Sequence, residues 1–231
     1  MKKKVLLKVS GELFSTAGSI DNELARSVAQ QIKQLRNTHW FGIVVGGGNL
    51  FRGKNADSEL QLKRTAADSI GMLATIMNGI LLHELFLQEG IKSTLLTALH
   101  IPELMKTFTF ERLREAQEED SCVIFVGGLA NPFFSTDTAA VVRALQCDAI
   151  ELWKATKVDY LYDQDPRYVA NAQPIKRTHY AEVLEKKLGV MDLTAITLAQ
   201  ENNVTLRIFN LFAHQALLNV AGSPDYGSTI T

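Results

Sequence analysis

Two hydrophobic periods alternate along the chain. Compact apolar runs appear at Val5 to Val9, Ile43-Val44-Val45, Thr94-Leu95-Leu96, Cys122-Val123-Ile124-Phe125-Val126, Ile150-Glu151-Leu152-Trp153 and Leu206-Arg207-Ile208-Phe209. Each reads as a buried strand. Between them the apolar residues recur at helical spacing. Leu24, Val28, Ile32 and Leu35 follow a capping Asp21, and Leu73, Ile76, Ile80 and Leu81 follow Asp68 or Ser69. A charged helix is predicted around 111–119. Another runs through Ala139, Ala140, Val141 and Val142 behind a cap at Thr136 or Asp137, and a last one covers 191–200. Gly227-Ser228-Thr229-Ile230 adds a final edge strand. Strands alternating with helices of ten or more residues predict an α/β fold, a three-layer α/β/α sandwich with a mostly parallel central sheet.

Composition adds limits to this picture. A chain of 231 residues without a Pro-, Ser- or Gly-rich linker predicts one domain over 1–231. A net charge of -1 argues against a nucleic-acid-coating surface, and Lys2-Lys3-Lys4 reads as a solvated strand start. Cys122 and Cys147 have no metal-like spacing, which favours a reducing compartment. The N-terminal apolar run stops at Lys8, too short for a signal peptide or membrane span, so a cytoplasmic protein with no membrane partner is expected. Residues 162–179 hold few apolar side chains and are expected to form a functional lid, mobile without ligand.

Candidate chemistry lies where strands end. Gly127-Gly128-Leu129-Ala130-Asn131-Pro132-Phe133-Phe134-Ser135-Thr136-Asp137-Thr138 joins a glycine turn to a helix N-terminus, a place suited to phosphate. Lys8-Val9-Ser10-Gly11-Glu12 brings a cation, a hydroxyl and a glycine to the end of the first strand. Gly46-Gly47-Gly48-Asn49, followed by Arg52 and Gly53, offers three residues able to take positive φ beside a guanidinium, as in an anion-binding nest. It fits neither the dinucleotide-binding nor the Walker pattern. Asp68 serves either as a helix cap or as an acceptor for ribose hydroxyls. Asp137 and Asp165 are candidates for orienting a lysine or holding magnesium, and Tyr162 for stacking on a base or packing.

The order of these segments closely resembles the bacterial-type UMP kinases of the amino acid kinase superfamily. The resemblance runs through Lys8-Val9-Ser10-Gly11-Glu12, Gly46-Gly47-Gly48-Asn49-Leu50-Phe51-Arg52-Gly53, Gly71-Met72-Leu73-Ala74-Thr75, Asn131-Pro132-Phe133-Phe134, Lys154-Ala155-Thr156-Lys157-Val158-Asp159 and Val190-Met191-Asp192. It implies transfer of the γ-phosphoryl group of ATP to UMP in pyrimidine nucleotide synthesis, with Mg²⁺ carried mainly by the ATP phosphates. By the same resemblance, Lys8, Arg52 and Asp137 serve catalysis. Lys8, Val9, Ser10, Gly11, Gly48, Arg52, Thr156, Tyr162 and Asp165 meet ATP, while Gly47, Asp68 and the run Leu129, Ala130, Asn131, Pro132, Phe133, Phe134, Ser135, Thr136 meet UMP. An acceptor part over roughly 1–150, an ATP part over roughly 151–231, a homohexamer and GTP or UTP effectors are also implied.

One departure stands out. The family carries Gly-Thr-Gly before Asn-Pro-Phe-Phe, where this chain has Gly128-Leu129-Ala130. Leu129 has no hydroxyl to offer an acceptor, and Ala130 is expected to resist the positive φ that glycine accepts. That substitution motivates a second hypothesis, a catalytically silent nucleotide-binding protein of the same fold. A kinase acting on a carboxylate or carbamate is a third, disfavoured by Asn131-Pro132-Phe133-Phe134.

Overall fold

Seven of the chain's strands lie parallel in one sheet, in the order β12-β8-β1-β4-β7-β5-β6. They are β1 (Lys3–Val9), β4 (His39–Val45), β5 (Ser93–Thr97), β6 (Lys106–Thr107), β7 (Cys122–Val126), β8 (Glu151–Thr156) and β12 (Thr205–Asn210). Strand β13 (Ser228–Ile230) runs antiparallel beside β12, and β11 (Arg177–Thr178) lies outside it, giving nine strands. Two small hairpins pair β2 (Ser15–Thr16) with β3 (Ser19–Ile20) and β9 (Leu161–Tyr162) with β10 (Pro174–Ile175). The computed structural model describes residues 1–16, 19–20, 23–51 and 61–231, with the side chains of 15, 16, 19 and 20 left aside.

Helices cover both faces, as the alternation of strand and helix predicts. On one face α1 (Glu23–Leu35), α2 (Arg64–Gln88) and α7 (Ala216–Gly222) pack over Val5, Leu7, Ile43 and Ile124. On the other, α3 (Phe110–Glu118), α4 (Thr136–Gln146), α5 (Tyr180–Glu185) and α6 (Leu193–Glu201) pack over Leu6, Val44, Phe125 and Leu152. Neighbouring residues of a strand thus serve opposite layers, and the central strands are apolar on both. Helix α2 is long and apolar enough to span a membrane by length and composition, yet Ala67, Ala74, Ile76, Leu82 and Phe86 bury one side of it in the core.

Several boundaries differ from the sequence-based expectation. Helix α2 begins at Arg64, not at Asp68 or Ser69, and Lys63 is its N-cap without a side-chain bond. The Arg64-Thr65-Ala66-Ala67 run sustains that extra turn, and Asp68 pairs with Arg64 one turn back at 3.0 Å. Helix α4 is capped by Ser135, whose Oγ accepts the Thr138 N–H at 3.0 Å, so neither Thr136 nor Asp137 is the cap. Strand β13 is not an edge, because β11 pairs with it. The expected cap Asp21 lies outside the described residues. The stretch 162–179 carries β10 and β11, closed at its base where the Gln173 N–H donates to Asp163 Oδ1 at 2.7 Å.

Candidate active site

The parallel strands all deliver their carboxyl ends to one edge of the sheet, where open α/β folds place ligands. Register puts Lys8 of β1 directly beside Lys154 of β8. Each follows a core residue of the α4-side layer by two positions, Leu6 before Lys8 and Leu152 before Lys154, so both lysines face α4. There Asp137, in the first turn of α4, meets them: Lys8 Nζ lies 3.0 Å from Oδ1, and Lys154 Nζ donates to Oδ2 at 2.6 Å. The side chains are only 14%, 18% and 11% exposed for Lys8, Asp137 and Lys154, so water screens this triad weakly. Burial pulls the Lys154 ammonium down to about 8, against the opposing pull of Asp137 and with further lowering from Lys8. Burial would raise the Asp137 carboxyl, but the two ammonium groups outweigh it and hold the acid below its ordinary value. Two cations on one carboxylate leave a surplus positive charge at the sheet edge, suited to a phosphoryl group in transfer.

Beside the triad lies the turn that follows β7. Gly127 and Gly128 take φ of 75° and 57°, and a Cβ on Gly127 would come 2.9 Å from Thr97 Oγ1. Ala130, expected to resist such a conformation, adopts φ 60° and donates its N–H to the Gly127 carbonyl at 3.1 Å. The loop therefore keeps a left-handed residue without glycine, at a cost of roughly 1–2 kcal/mol. Phe133 is also left-handed, at φ 73°. Its N–H donates to Asp68 Oδ2 at 2.8 Å, and the Arg64 guanidinium lies 5.7 Å from its ring centre. The phenyl rings of Phe133 and Phe134 are exposed, and the Asn131 amide donates to the Leu129 carbonyl at 3.2 Å. Asp68 is thus a fastener between α2 and this loop rather than a cap.

The loop is also tied to the far half of the chain. Asp192, the N-cap of α6, accepts from Ala195 N–H and from Thr138 Oγ1, at 3.1 and 3.0 Å, and from the Ser135 hydroxyl. Across the edge, a cavity of about 510 Å³ opens beside Lys154, lined among others by Thr156, Tyr160, Tyr162, Asp165 and Gly189. Its size suits a nucleoside. The single Thr156 hydroxyl proton is within donating distance of the Val158 carbonyl at 2.9 Å and the Phe209 carbonyl at 3.1 Å, and the hydroxyl oxygen accepts the Val158 N–H, so the side chain fixes the end of β8. Asp165 is held by Arg167 at 2.6 Å, which keeps its carboxyl below the ordinary value. That partner, and not a lysine of the triad, is what Asp165 orients.

Placement of the remaining candidates is mixed. Val9 is buried, and its carbonyl accepts the Gly46 N–H at 2.9 Å, which joins the β1 and β4 turns. Gly46 and Gly47 do not take positive φ, and a Cβ on Gly47 would come 2.7 Å from Ala74 Cβ, so Gly47 permits close packing against α2. Ser10, Gly11 and Gly48 lie at the same edge, following β1 and β4. Arg52 and Gly53 lie outside the described residues. Lys154 was missed as a site residue. Its signal was a lysine inside the apolar run Leu152-Trp153-Lys154-Ala155, a position that burial makes expensive without a partner.

The chain matches the model of the amino acid kinase family over residues 3–210. It is 40% identical to the uridylate kinase of Psychrobacter cryohalolentis, over 98% of this chain and 95% of that protein. It is also 40% identical to the uridylate kinase of a Sulfurovum species, over 95% of each. Among solved structures it superposes on UMP kinase from Ureaplasma parvum with a TM-score of 0.95 at 32% identity, covering 100% of this chain and 99% of that one. For UMP kinase from Bacillus anthracis the TM-score is 0.93 at 28% identity, covering 99% and 96%. With its parallel sheet, its lysine pair and its near full-length match, the chain belongs to the amino acid kinase family, among the uridylate kinases.

Proposed function

We propose that the protein transfers the γ-phosphoryl group of Mg-ATP to UMP, giving UDP and ADP. The observation that carries this is the Lys8–Asp137–Lys154 triad, placed between the loop Leu129 to Thr136 and the cavity beside Lys154. Donor and acceptor are both anions, so the protein's task is to align them and neutralise charge as the phosphoryl group passes. Lys8 and Lys154 supply that charge, and Asp137 holds both ammonium groups in place without itself taking a proton. ATP takes the cavity side, with Tyr162 and Asp165 at the nucleoside and Ser10, Gly11, Gly48 and Arg52 toward the phosphates. UMP takes the loop side, with Gly47 and Asp68 completing its site.

Both Asp137 oxygens are engaged by lysines, and no group of three or more potential metal ligands occurs among the described residues. The donor set therefore suits an ion that arrives on the nucleotide. Bound to the phosphates, Mg²⁺ would neutralise their charge. The division near residue 150, a cytoplasmic location, homohexameric assembly and GTP or UTP effectors form part of the same proposal. Two buried free thiols fit a reducing compartment, and an exposed stripe on α2, with Ile70, Leu73 and Met77 at 38%, 52% and 56%, supports self-association. ADP release with UMP, CMP, dTMP and small carboxylates as acceptors tests the assignment. Turnover that requires UMP supports it, and tight binding of both nucleotides without turnover would favour a silent binding protein instead.

A further inference from the structure

Helix α2 carries two polar residues that its position in the core does not explain. Thr75 is 5% exposed and Asn78 is fully buried, three residues apart on the inner side of the helix, where the other buried residues are apolar or glycine. Asparagine in a helix interior is unfavourable by roughly 0.7 kcal/mol relative to alanine, and an unpaired buried amide costs about 1–3 kcal/mol more. Neither side chain is unpaired: the Thr75 hydroxyl donates to the Met72 carbonyl of its own helix at 2.7 Å, and each side chain also holds a group outside the helix. The Thr75 hydroxyl accepts the Gly127 N–H at 2.8 Å, at the root of the loop that leads to Asn131 and Phe133. The Asn78 amide donates to the Gly46 carbonyl and to Asn49 Oδ1, both at 2.7 Å, and Asn49 returns a bond to Asn78 Oδ1 at 3.3 Å.

One helix therefore holds the glycine turn after β4 and the glycine turn after β7 by side chains on neighbouring turns. The backbone supports the same contact. Gly79 packs so closely on Val126 that a Cβ there would overlap it, and Gly47 meets Ala74. Both turns lie on one side of β1, after the adjacent strands β4 and β7, and the Val9 carbonyl of β1 takes the Gly46 N–H, so their spacing sets how far the acceptor turn stands from Lys8.

We propose that Thr75 and Asn78 are positioning residues for phosphoryl transfer, fixing the acceptor turn and the β4 turn at one spacing from a shared rigid helix. Neither touches a substrate. This rests on the kinase reading above, and it assigns the two residues separable effects. Thr75 acts through Gly127 on the acceptor loop alone. Asn78 acts through Gly46 on the turn that both substrates share.

Steady-state kinetics of the full chain with Mg-ATP and UMP tests this. Thr75→Val keeps the shape and removes the hydroxyl; it is expected to raise KM for UMP about tenfold, the worth of one hydrogen bond, with KM for ATP within twofold. Thr75→Ser restores the hydroxyl and is expected to restore KM for UMP. Asn78→Leu is expected to lower kcat by about tenfold or more, because it disturbs alignment of both nucleotides. Thr75→Ala is the second variant at that position and carries the same expectation if the valine variant does not fold. A merely structural role predicts a lower Tm with kcat and both KM values unchanged, and that result would overturn the inference. So would a Thr75→Ser variant as impaired as Thr75→Val. The wild-type chain is measured alongside: no UMP-dependent turnover there contradicts the kinase reading itself, whereas normal wild-type turnover with an unaltered Thr75→Val overturns only the positioning role.

Discussion

Lys8 and Lys154 stand in register on adjacent parallel strands, and a single carboxylate, Asp137, holds both ammonium groups at 3.0 and 2.6 Å. Without it two like charges would face each other at a poorly hydrated sheet edge. Asp137→Asn is therefore expected to lower kcat by about 10²–10³, the range found when one preorganised electrostatic group is removed from a site. Substrate KM values should move far less. Initial rates over a matrix of ATP and UMP concentrations separate the two effects.

Lys154 is expected to give the reaction an alkaline limb. Its folded-state value of about 8 lies below the ordinary 10.5, so between those pH values the unfolded chain holds a proton that the folded chain has released. Stability from this group accordingly rises with pH across that window, while the charge needed for transfer is lost. kcat/KM for ATP is expected to fall as pH passes about 8, with the protein still folded by circular dichroism. Lys154→Arg keeps its charge and should move the limb to higher pH.

Ala130 holds φ 60° where glycine would carry no steric penalty. Ala130→Gly removes that strain but loosens the unfolded chain, so a net gain of about 0.5–1 kcal/mol is expected, a rise in Tm of roughly 1–4 °C. Scanning calorimetry reads the change. An equal or lower Tm would show that the loop carries no strain at this position.

Asp192 ties the N-terminus of α6 to the hydroxyls of Ser135 and Thr138 at the start of α4. Asp192→Ala removes a helix cap and two charge-assisted acceptors, which should cost about 2–4 kcal/mol of stability. Because Ser135 ends the acceptor loop, KM for UMP is expected to rise as well. Denaturant melts and UMP titrations check the two parts separately.

Much of this architecture was legible in the chain. Fully buried parallel strands need uninterrupted apolar runs, so Cys122 to Val126 and Ile43 to Val45 declared themselves, and the glycine turns followed from where those runs stop. The triad was only half visible. Asp137 and Lys8 lie at element ends, whereas the importance of Lys154 depends on strand register, which no local pattern encodes. Asp68 shows a second limit: a carboxylate ahead of an apolar run looks like a cap, but Arg64 extends the helix past it and leaves Asp68 free to hold the Phe133 amide. Thr75 and Asn78 were unreadable for the same reason, since their partners lie 52 and 32 residues away.

The most direct measurement follows the label from [γ-³²P]ATP in the presence of UMP, for the wild-type chain and for Lys154→Met. The account predicts label in UDP for the wild type, and transfer reduced by about 10²-fold or more in the variant while calorimetry still detects UMP binding. Label released only as inorganic phosphate, or transfer to UMP at the wild-type rate without Lys154, would contradict it.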